Sequence, residues 1–313
     1  MATYLVTQAT GQQSQWTITH LLASGAKVHA VVCDPHKIPN ILHSPGVTVF
    51  KGASIDFETV FEAAQGCKGV FLNTYPIPGL ETHQATAVVE ACQKAGVKSI
   101  VSCSTLFTGY MALWDDQVTE EIGLRGYYLS KAEVEGIYLL SSVHGNLSRL
   151  PTHGELDHAY NDGVRMPQTV GNDVGRYAAA ALLDPVKFGG QEIELANEFL
   201  TAQEARNIVS RVSGKVVRLK ERTPEEVEAA KAIVFAQRFH FFASAKNFGD
   251  SLAASKKAET KFGIPFTSLE QALVRDKDRL LESVSFTLSQ SHFADLHWIY
   301  IASPWYLSYS FID

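Results

Sequence analysis

The stretch MATYLVTQATGQQSQWTITHLLASGAKVHAVVCDP, Met1 to Pro35, carries the reading of the fold. Tyr4-Leu5-Val6 is a short β-favouring run, Ala9 to Ser14 form a turn, and Trp16, Ile18, Leu21 and Leu22 recur at helical spacing before Gly25. Val28, Ala30, Val31 and Val32 resume as a strand that ends at Cys33-Asp34-Pro35. A strand, tight turn, helix and strand of this size, with a glycine in the first turn, has the shape of a dinucleotide-binding βαβ unit. The unpaired N–H groups at the helix start, with the positive end of its dipole, then face an anion. Thr7, Ala9, Thr10, Gly11, Gln12 and Gln13 fall on the cofactor side of such a site. Only Gly11 occupies a fingerprint position; Gln8 and Ser14 stand where G-x-x-G-x-x-G spacing places the outer glycines. An ordinary strand-turn-helix with no nucleotide is the alternative these residues leave open.

Further along, Val47 to Phe50, Gly69 to Thr74 and Ser99 to Cys103 read as strands, with helices over Asp56–Ala64 and Thr82–Ala95 between them. Gly96 takes the helix-closing position. The continuously apolar Gly69–Leu72 run is the pattern of a strand covered on both faces. Alternation of this kind predicts an α/β fold, a doubly wound parallel sheet whose ligands sit beyond the carboxyl ends of its strands. Those ends bring in Cys33, Asp34 and the nearby Lys37 after the second strand, Asn73, Thr74 and Tyr75 after the fourth, and Ser104 and Thr105 after the fifth. Phe107 to Gly126, rich in glycine and acids, reads as a long loop over the site.

Tyr127 and Lys131 stand one helical turn apart and share a face. A lysine there lowers the phenol's pKa and holds a ribose hydroxyl, which with Ser104 makes a Ser, Tyr, Lys set for hydride transfer. A surface Tyr-Lys pair without chemistry is the plainer alternative. Asn146 to Leu150 is expected as a sixth strand, and its exit places His153 beside the pocket.

Composition narrows the class. The 313 residues are 46% hydrophobic and 19% charged, enough for a substantial core and against disorder. A net charge of −6 with scattered basic residues disfavours nucleic acid as a partner. The chain enters its first strand without a basic flank or long apolar run, so a cytoplasmic location is expected. Cys33, Cys67, Cys92 and Cys103 lack metal or disulfide spacing; only Cys33 lies at a site position. The last residues carry Phe293, Trp298, Tyr300, Trp305, Tyr306, Tyr309 and Phe311, but Pro304 and several serines argue against a membrane span. A pocket wall, a dimer contact and a packed terminal segment each fit this run.

Several motifs act jointly: Val6-Thr7-x-Ala9-Thr10-Gly11-x-Gln13, Leu21-Leu22-x-x-Gly25 leading to Cys33-Asp34-Pro35, and Ser130-Lys131-Ala132-Glu133-Val134-Glu135. Asp173-Val174-Gly175-Arg176 through Leu183-Asp184-Pro185, Leu200-Thr201-x-x-Glu204 and Ser213-Gly214-Lys215 follow. In this combination the chain resembles the NmrA-like family of atypical short-chain dehydrogenases/reductases. The resemblance implies a Rossmann domain that binds NAD(P), over residues 1–150, and a smaller α+β substrate lobe over 151–313, with elements of the two interleaving. The family pattern has glycines where Gln8 and Ser14 stand, and an arginine toward the NADP 2′-phosphate where Cys33 stands. Tyr127 with Lys131 restores the Tyr-x-x-x-Lys arrangement of active short-chain reductases.

The leading expectation is therefore an NAD(P)-dependent oxidoreductase, with NADP as its cofactor, for a small organic substrate of the secondary-metabolite kind, working as monomer or homodimer without nucleic acid or membrane. Lys131 binds ribose, Tyr127 donates a proton, and Ser104 or Thr105 orients a carbonyl, with Tyr75 and His153 on the substrate. A non-redox isomerase or cyclase with a degenerate cofactor loop, and a nucleotide-sensing regulator without catalysis, are the alternatives.

Overall fold

The computed structural model describes residues 1–36, 38–75, 77, 79–137, 155–231, 237–246, 248–284 and 305–311, of which 135–137, 157, 230, 231, 237, 249–252, 282, 283 and 305–311 are described for the backbone only. The first half runs β1 (Thr3–Val6), α1 (Gln12–Ala23), β2 (Lys27–Val32), β3 (Val47–Lys51), α2 (Phe57–Ala64), β4 (Gly69–Leu72), α3 (Leu80–Ala95), β5 (Ser99–Thr105), α4 (Met111–Trp114), α5 (Gln117–Ile122) and α6 (Arg125–Ile137). There follow β6 (Glu155–His158), β7 (Met166–Gln168), α7 (Gly171–Leu183), α8 (Pro185–Phe188), β8 (Glu192–Leu195), β9 (Glu198–Leu200), α9 (Ala202–Ser213), β10 (Arg218–Glu221) and α10 (Pro224–Lys231). Helices α11 (Gln237–Ala245), α12 (Gly249–Phe262), α13 (Leu269–Arg275) and α14 (Lys277–Ser283) precede the strand β11 (Trp305–Phe311).

The main sheet has the order β3-β2-β1-β4-β5-β11-β8. Its first five strands are parallel, and the order reverses between β1 and β4, as in a Rossmann-type doubly wound sheet. Every residue of β4 and β5 is buried, which the apolar runs of a sheet covered on both faces require. One face packs Ile18, Leu21, Tyr177 and Leu182 of α1 and α7; the other packs Val60, Val88 and Ala91 of α2 and α3. Helix α7 approaches α1 backbone to backbone at Gly175, where a Cβ would lie 2.5 Å from Trp16. Two small sheets, β10-β6 and β7-β9, belong to the second part of the chain.

Local signals explain the helix ends. Gly96 closes α3 in the left-handed conformation, φ 77°, and Thr201 with Glu204 forms both halves of a capping box on α9. The 107–126 segment corrects the expectation of a long loop, because it folds into α4 and α5. The Asp116 carboxylate accepts the Thr119 N–H at 2.9 Å and Gly123 ends α5 at φ 76°, so each terminus of that short helix is satisfied locally.

β11 gives residues 305–311 a packed position inside the sheet. It runs antiparallel to β5, Trp305 opposite Thr105 and Phe311 opposite Ser99, and antiparallel to β8 on its other edge. β8 and β11 both follow residue 151 and both enter the main sheet. The strand expected at 146–150, the division near 150, His153, Lys37, and Phe293, Trp298 and Tyr300 lie outside the described residues. No described helix is long and apolar enough to cross a membrane.

Candidate active site

The reversal of strand order opens a crevice between the ends of β1 and β4, and side chains close its floor. The Thr7 hydroxyl donates to the Asn73 carbonyl at 2.9 Å, and the Asn73 N–H returns to the Thr7 oxygen at 2.9 Å. The Asn73 carboxamide reaches α1, donating to Gln13 Oε1 at 3.2 Å and to the Ser14 hydroxyl at 3.3 Å. Ala9 is buried beneath the loop, and Thr10 is exposed, its carbonyl accepting from the Gln15 amide at 2.7 Å.

Helix α1 begins at Gln12 with no side-chain cap and no acid in its first turn. Gly11 is tight: a Cβ there would meet the Gln8 carbonyl at 3.2 Å, the same oxygen that accepts the Gly11 N–H at 2.8 Å. Gln13 Nε2 is buried with no hydrogen-bond partner among the described residues. An uncapped helix start, an orphaned donor and a loop that leaves little room for a side chain at Gly11 fit a dinucleotide phosphate. The two missing glycines have different consequences. Ser14 is fully buried and its hydroxyl donates to the Thr7 carbonyl at 3.0 Å, so it braces the loop from inside. Gln8 sits at φ 47°, the left-handed region where a glycine carries no Cβ cost.

At the end of β2, Cys33 and Asp34 are exposed, and Asp34 Oδ1 accepts the His36 N–H at 3.0 Å in a local turn. Tyr75 is half exposed after β4, its N–H held by Gln84 Oε1 at 2.9 Å. A small cleft of about 50 Å³ lies beside Gln12 and Trp16, between α1, the Gln168–Gly171 segment and α13.

The second cluster lies at the end of β5. Ser104 is fully buried with its hydroxyl 3.1 Å from that of Thr108, and the Thr105 side chain hydrogen-bonds Tyr127. Helix α4 fixes this corner, since Trp114 Nε1 donates to the Phe107 and Thr108 carbonyls at 3.0 Å and its ring stacks on Tyr128 at 5.3 Å. Lys131 is fully buried, with Nζ 5.1 Å from the Tyr127 ring centroid and ion-paired to Glu81 of α3. Glu81 is equally buried and accepts the Thr74 hydroxyl at 2.7 Å and the Ser130 hydroxyl at 3.3 Å.

This geometry corrects one electrostatic expectation. The Tyr127 phenol is not lowered: burial pushes it well above its ordinary value, the Thr105 hydrogen bond pulls down only in part, and the Glu81 charge adds to the rise. Glu81, Ser130, Thr108 and Trp114 were not identified from sequence. An acid in the first turn of α3, following the Asn73–Tyr75 exit, was the available signal for Glu81, and it is indistinguishable from an acid that complements the helix dipole.

A parallel sheet with a reversed strand order, a phosphate-competent helix start and a Tyr-Lys pair at the fifth strand defines the dinucleotide-fold class of α/β proteins. Residues 2–282 match the NmrA-like family, and the chain belongs to that family. A curated relative, "Oxidoreductase dmxR7" of Cryptosporiopsis sp. (strain 8999), is 34% identical over 104 residues, 30% of this chain and 44% of the relative, so the match spans less than half the relative's length. The fold is shared with the Escherichia coli NADPH-dependent quinone oxidoreductase QOR2 complexed with NADPH (TM-score 0.65, 21% identity, 88% of this chain and 99% of that one). It is shared with the negative transcriptional regulator NmrA in complex with NAD (0.65, 20%, 87% and 94%) and with the Citrobacter sp. triphenylmethane reductase (0.59, 23%, 90% and 99%).

Proposed function

We propose that this chain is an NAD(P)-dependent oxidoreductase that reduces a small organic substrate, with NADP preferred. The observation that carries the reading is Tyr127, buried at the end of β5 with Thr105 on its hydroxyl and the Lys131 ammonium 5.1 Å from its ring centroid. The first-turn amides of α1 and the Gln13 carboxamide hold a pyrophosphate, and Cys33 and Asp34 border the adenosine ribose. A bound nicotinamide supplies hydride. Tyr127, a neutral acid far above its ordinary pKa, gives a proton to the substrate oxygen, while Ser104 and Thr105 orient that oxygen. Lys131 holds positive charge beneath the phenol, and Tyr75 borders the substrate. The relative's name and the two reductases of like fold support this choice of chemistry.

The same proposal includes a cytoplasmic protein, monomeric or homodimeric, with a nucleotide-binding part over residues 1–150 and a substrate lobe after it; a secondary-metabolite substrate is its narrower form. Gln8 in a left-handed conformation favours a second reading, a non-redox isomerase or cyclase on the same scaffold. Incubation with NADPH or NADH and a panel of quinones and triphenylmethane dyes, followed by loss of reduced-nicotinamide absorbance, separates the two. Consumption by wild type and its loss in Tyr127→Phe is expected; binding of neither nucleotide selects the non-redox reading.

A further inference from the structure

The second part of the chain holds a larger opening than the one beside Gln12. A cleft of about 660 Å³, within the size of small-molecule sites, lies between the β6–β7 turn, the start of α9 and β10. Val164, Val217 and Leu219 give it apolar surface, and Val216 adds an apolar side chain that is 84% exposed. Tyr160 supplies an aromatic wall, its ring stacked on those of His158 at 5.7 Å and His240 at 4.0 Å. Burial pushes the Tyr160 phenol up and the His240 imidazole down, so this part of the wall is uncharged near neutral pH.

Two arginines line the cleft, and they differ. Arg218 donates to Glu155 at 3.1 Å. Arg206 stands on α9 one turn before the fully buried Val209; its Nε is buried with no hydrogen-bond partner among the described residues, and it enters no ion pair with them. Glu204, two positions earlier, is already taken by Arg165 at 2.7 Å and by the Thr201 N–H at 2.9 Å. A buried guanidinium donor without an acceptor is costly, and a carboxylate, whose two oxygens match the guanidinium fork, satisfies it best. Asp162 and Glu221, both exposed, also border the cleft, so a ligand with more than one negative charge meets repulsion there.

We propose that this cleft is a second binding site, distinct from the Tyr127 site, for a small organic monocarboxylate with a flat apolar body: the carboxylate lies on Arg206 and the body lies against Tyr160 and the valines. Helix α11 marks the separation of the two sites. Its Phe239 ring packs on Tyr127 at 5.5 Å, and the next residue, His240, packs on Tyr160 instead. The inference does not depend on the reductase reading, because no residue of the cleft belongs to the hydride-transfer set.

The test is calorimetric titration of the full chain with 2-naphthoate, with the neutral 2-naphthamide and with inorganic phosphate, on wild type, Arg206→Gln, Val216→Glu and Tyr127→Phe. Wild type is expected to bind 2-naphthoate about tenfold or more tightly than the amide, and Arg206→Gln to lose about that factor for the acid alone. Val216→Glu, a change at an exposed position, places a further negative charge at the edge and is expected to weaken the acid but not the amide; it carries the test if Arg206→Gln does not fold. Binding in Tyr127→Phe is expected to equal that of wild type. No binding of 2-naphthoate, equal affinity for acid and amide, or acid binding undiminished in the folded Arg206→Gln or Val216→Glu protein overturns the proposal. Loss of binding in Tyr127→Phe overturns it too, since the acid would then occupy the tyrosine site. Arg206-dependent binding of phosphate more tightly than 2-naphthoate overturns the monocarboxylate assignment.

Discussion

The Ser14 hydroxyl donates to the Thr7 carbonyl at 3.0 Å and receives the Asn73 carboxamide at 3.3 Å, within the first turn of α1. Ser14 therefore substitutes for a family glycine by turning inward, and the remaining departure, Gln8 at φ 47°, bears the conformational cost. The two positions are expected to respond in opposite ways. Ser14→Gly removes buried partners from Thr7 and Asn73 and is expected to cost about 1–3 kcal/mol with no gain in nucleotide affinity. Gln8→Gly is expected to gain about 1 kcal/mol by relieving a left-handed residue and to tighten NADPH binding. Urea unfolding and calorimetric titration of the single variants check both; tighter binding in Ser14→Gly would show that this side chain obstructs the phosphate after all.

Nucleotide choice turns on the end of β2. Asp34 is engaged with the His36 N–H, and Cys33 is exposed in the position where the family supplies an arginine. Cys33→Arg is expected to strengthen NADPH binding by roughly 1–3 kcal/mol and to leave NADH binding unchanged, through charge-assisted hydrogen bonds to the 2′-phosphate. Equal gains for both nucleotides would remove this strand end from ribose recognition.

In the second part of the chain, burial, with Arg222 and His158 adding to it, lowers His240 to about 3. Its Nδ1 accepts the Ala159 N–H at 3.1 Å and its ring lies 4.0 Å from that of Tyr160. The folded value is depressed below the unfolded one, about 6.5, so the unfolded chain binds the extra proton between them. The stabilisation is thus complete above the unfolded value and is lost as pH falls toward the folded one. Denaturant unfolding of wild type is expected to steepen on acidification through that window, and His240→Gln is expected to remove the added steepness. An identical acid dependence in both proteins contradicts the assignment.

The sheet was legible because its strands are short apolar runs separated by helical periodicity, and Val70, Phe71 and Leu72 fit no other environment than a strand covered on both sides. The 107–126 segment was misread because α4 and α5 are each only a few residues long: too short to show a period, they are specified by the caps at Asp116 and Gly123. The one-turn spacing of Tyr127 and Lys131 brought ring and ammonium together, whereas the electrostatics depended on a partner fifty positions away in sequence. Spacing on a single helix carries no trace of Glu81. For the aromatic tail, composition allowed three placements, and the pairing of β11 with β5 and β8 depends on a register that side-chain type alone does not encode.

The central claim, that this crevice holds a nicotinamide nucleotide for reduction, is tested most directly by calorimetric titration of the purified chain with NADPH and NADH, with Gly11→Val as the control. Saturable binding of NADPH, weaker binding of NADH, and loss of both when a branched side chain is placed against the Gln8 carbonyl is the expected result. Absence of binding for either nucleotide in wild type, or binding undiminished in Gly11→Val, contradicts it.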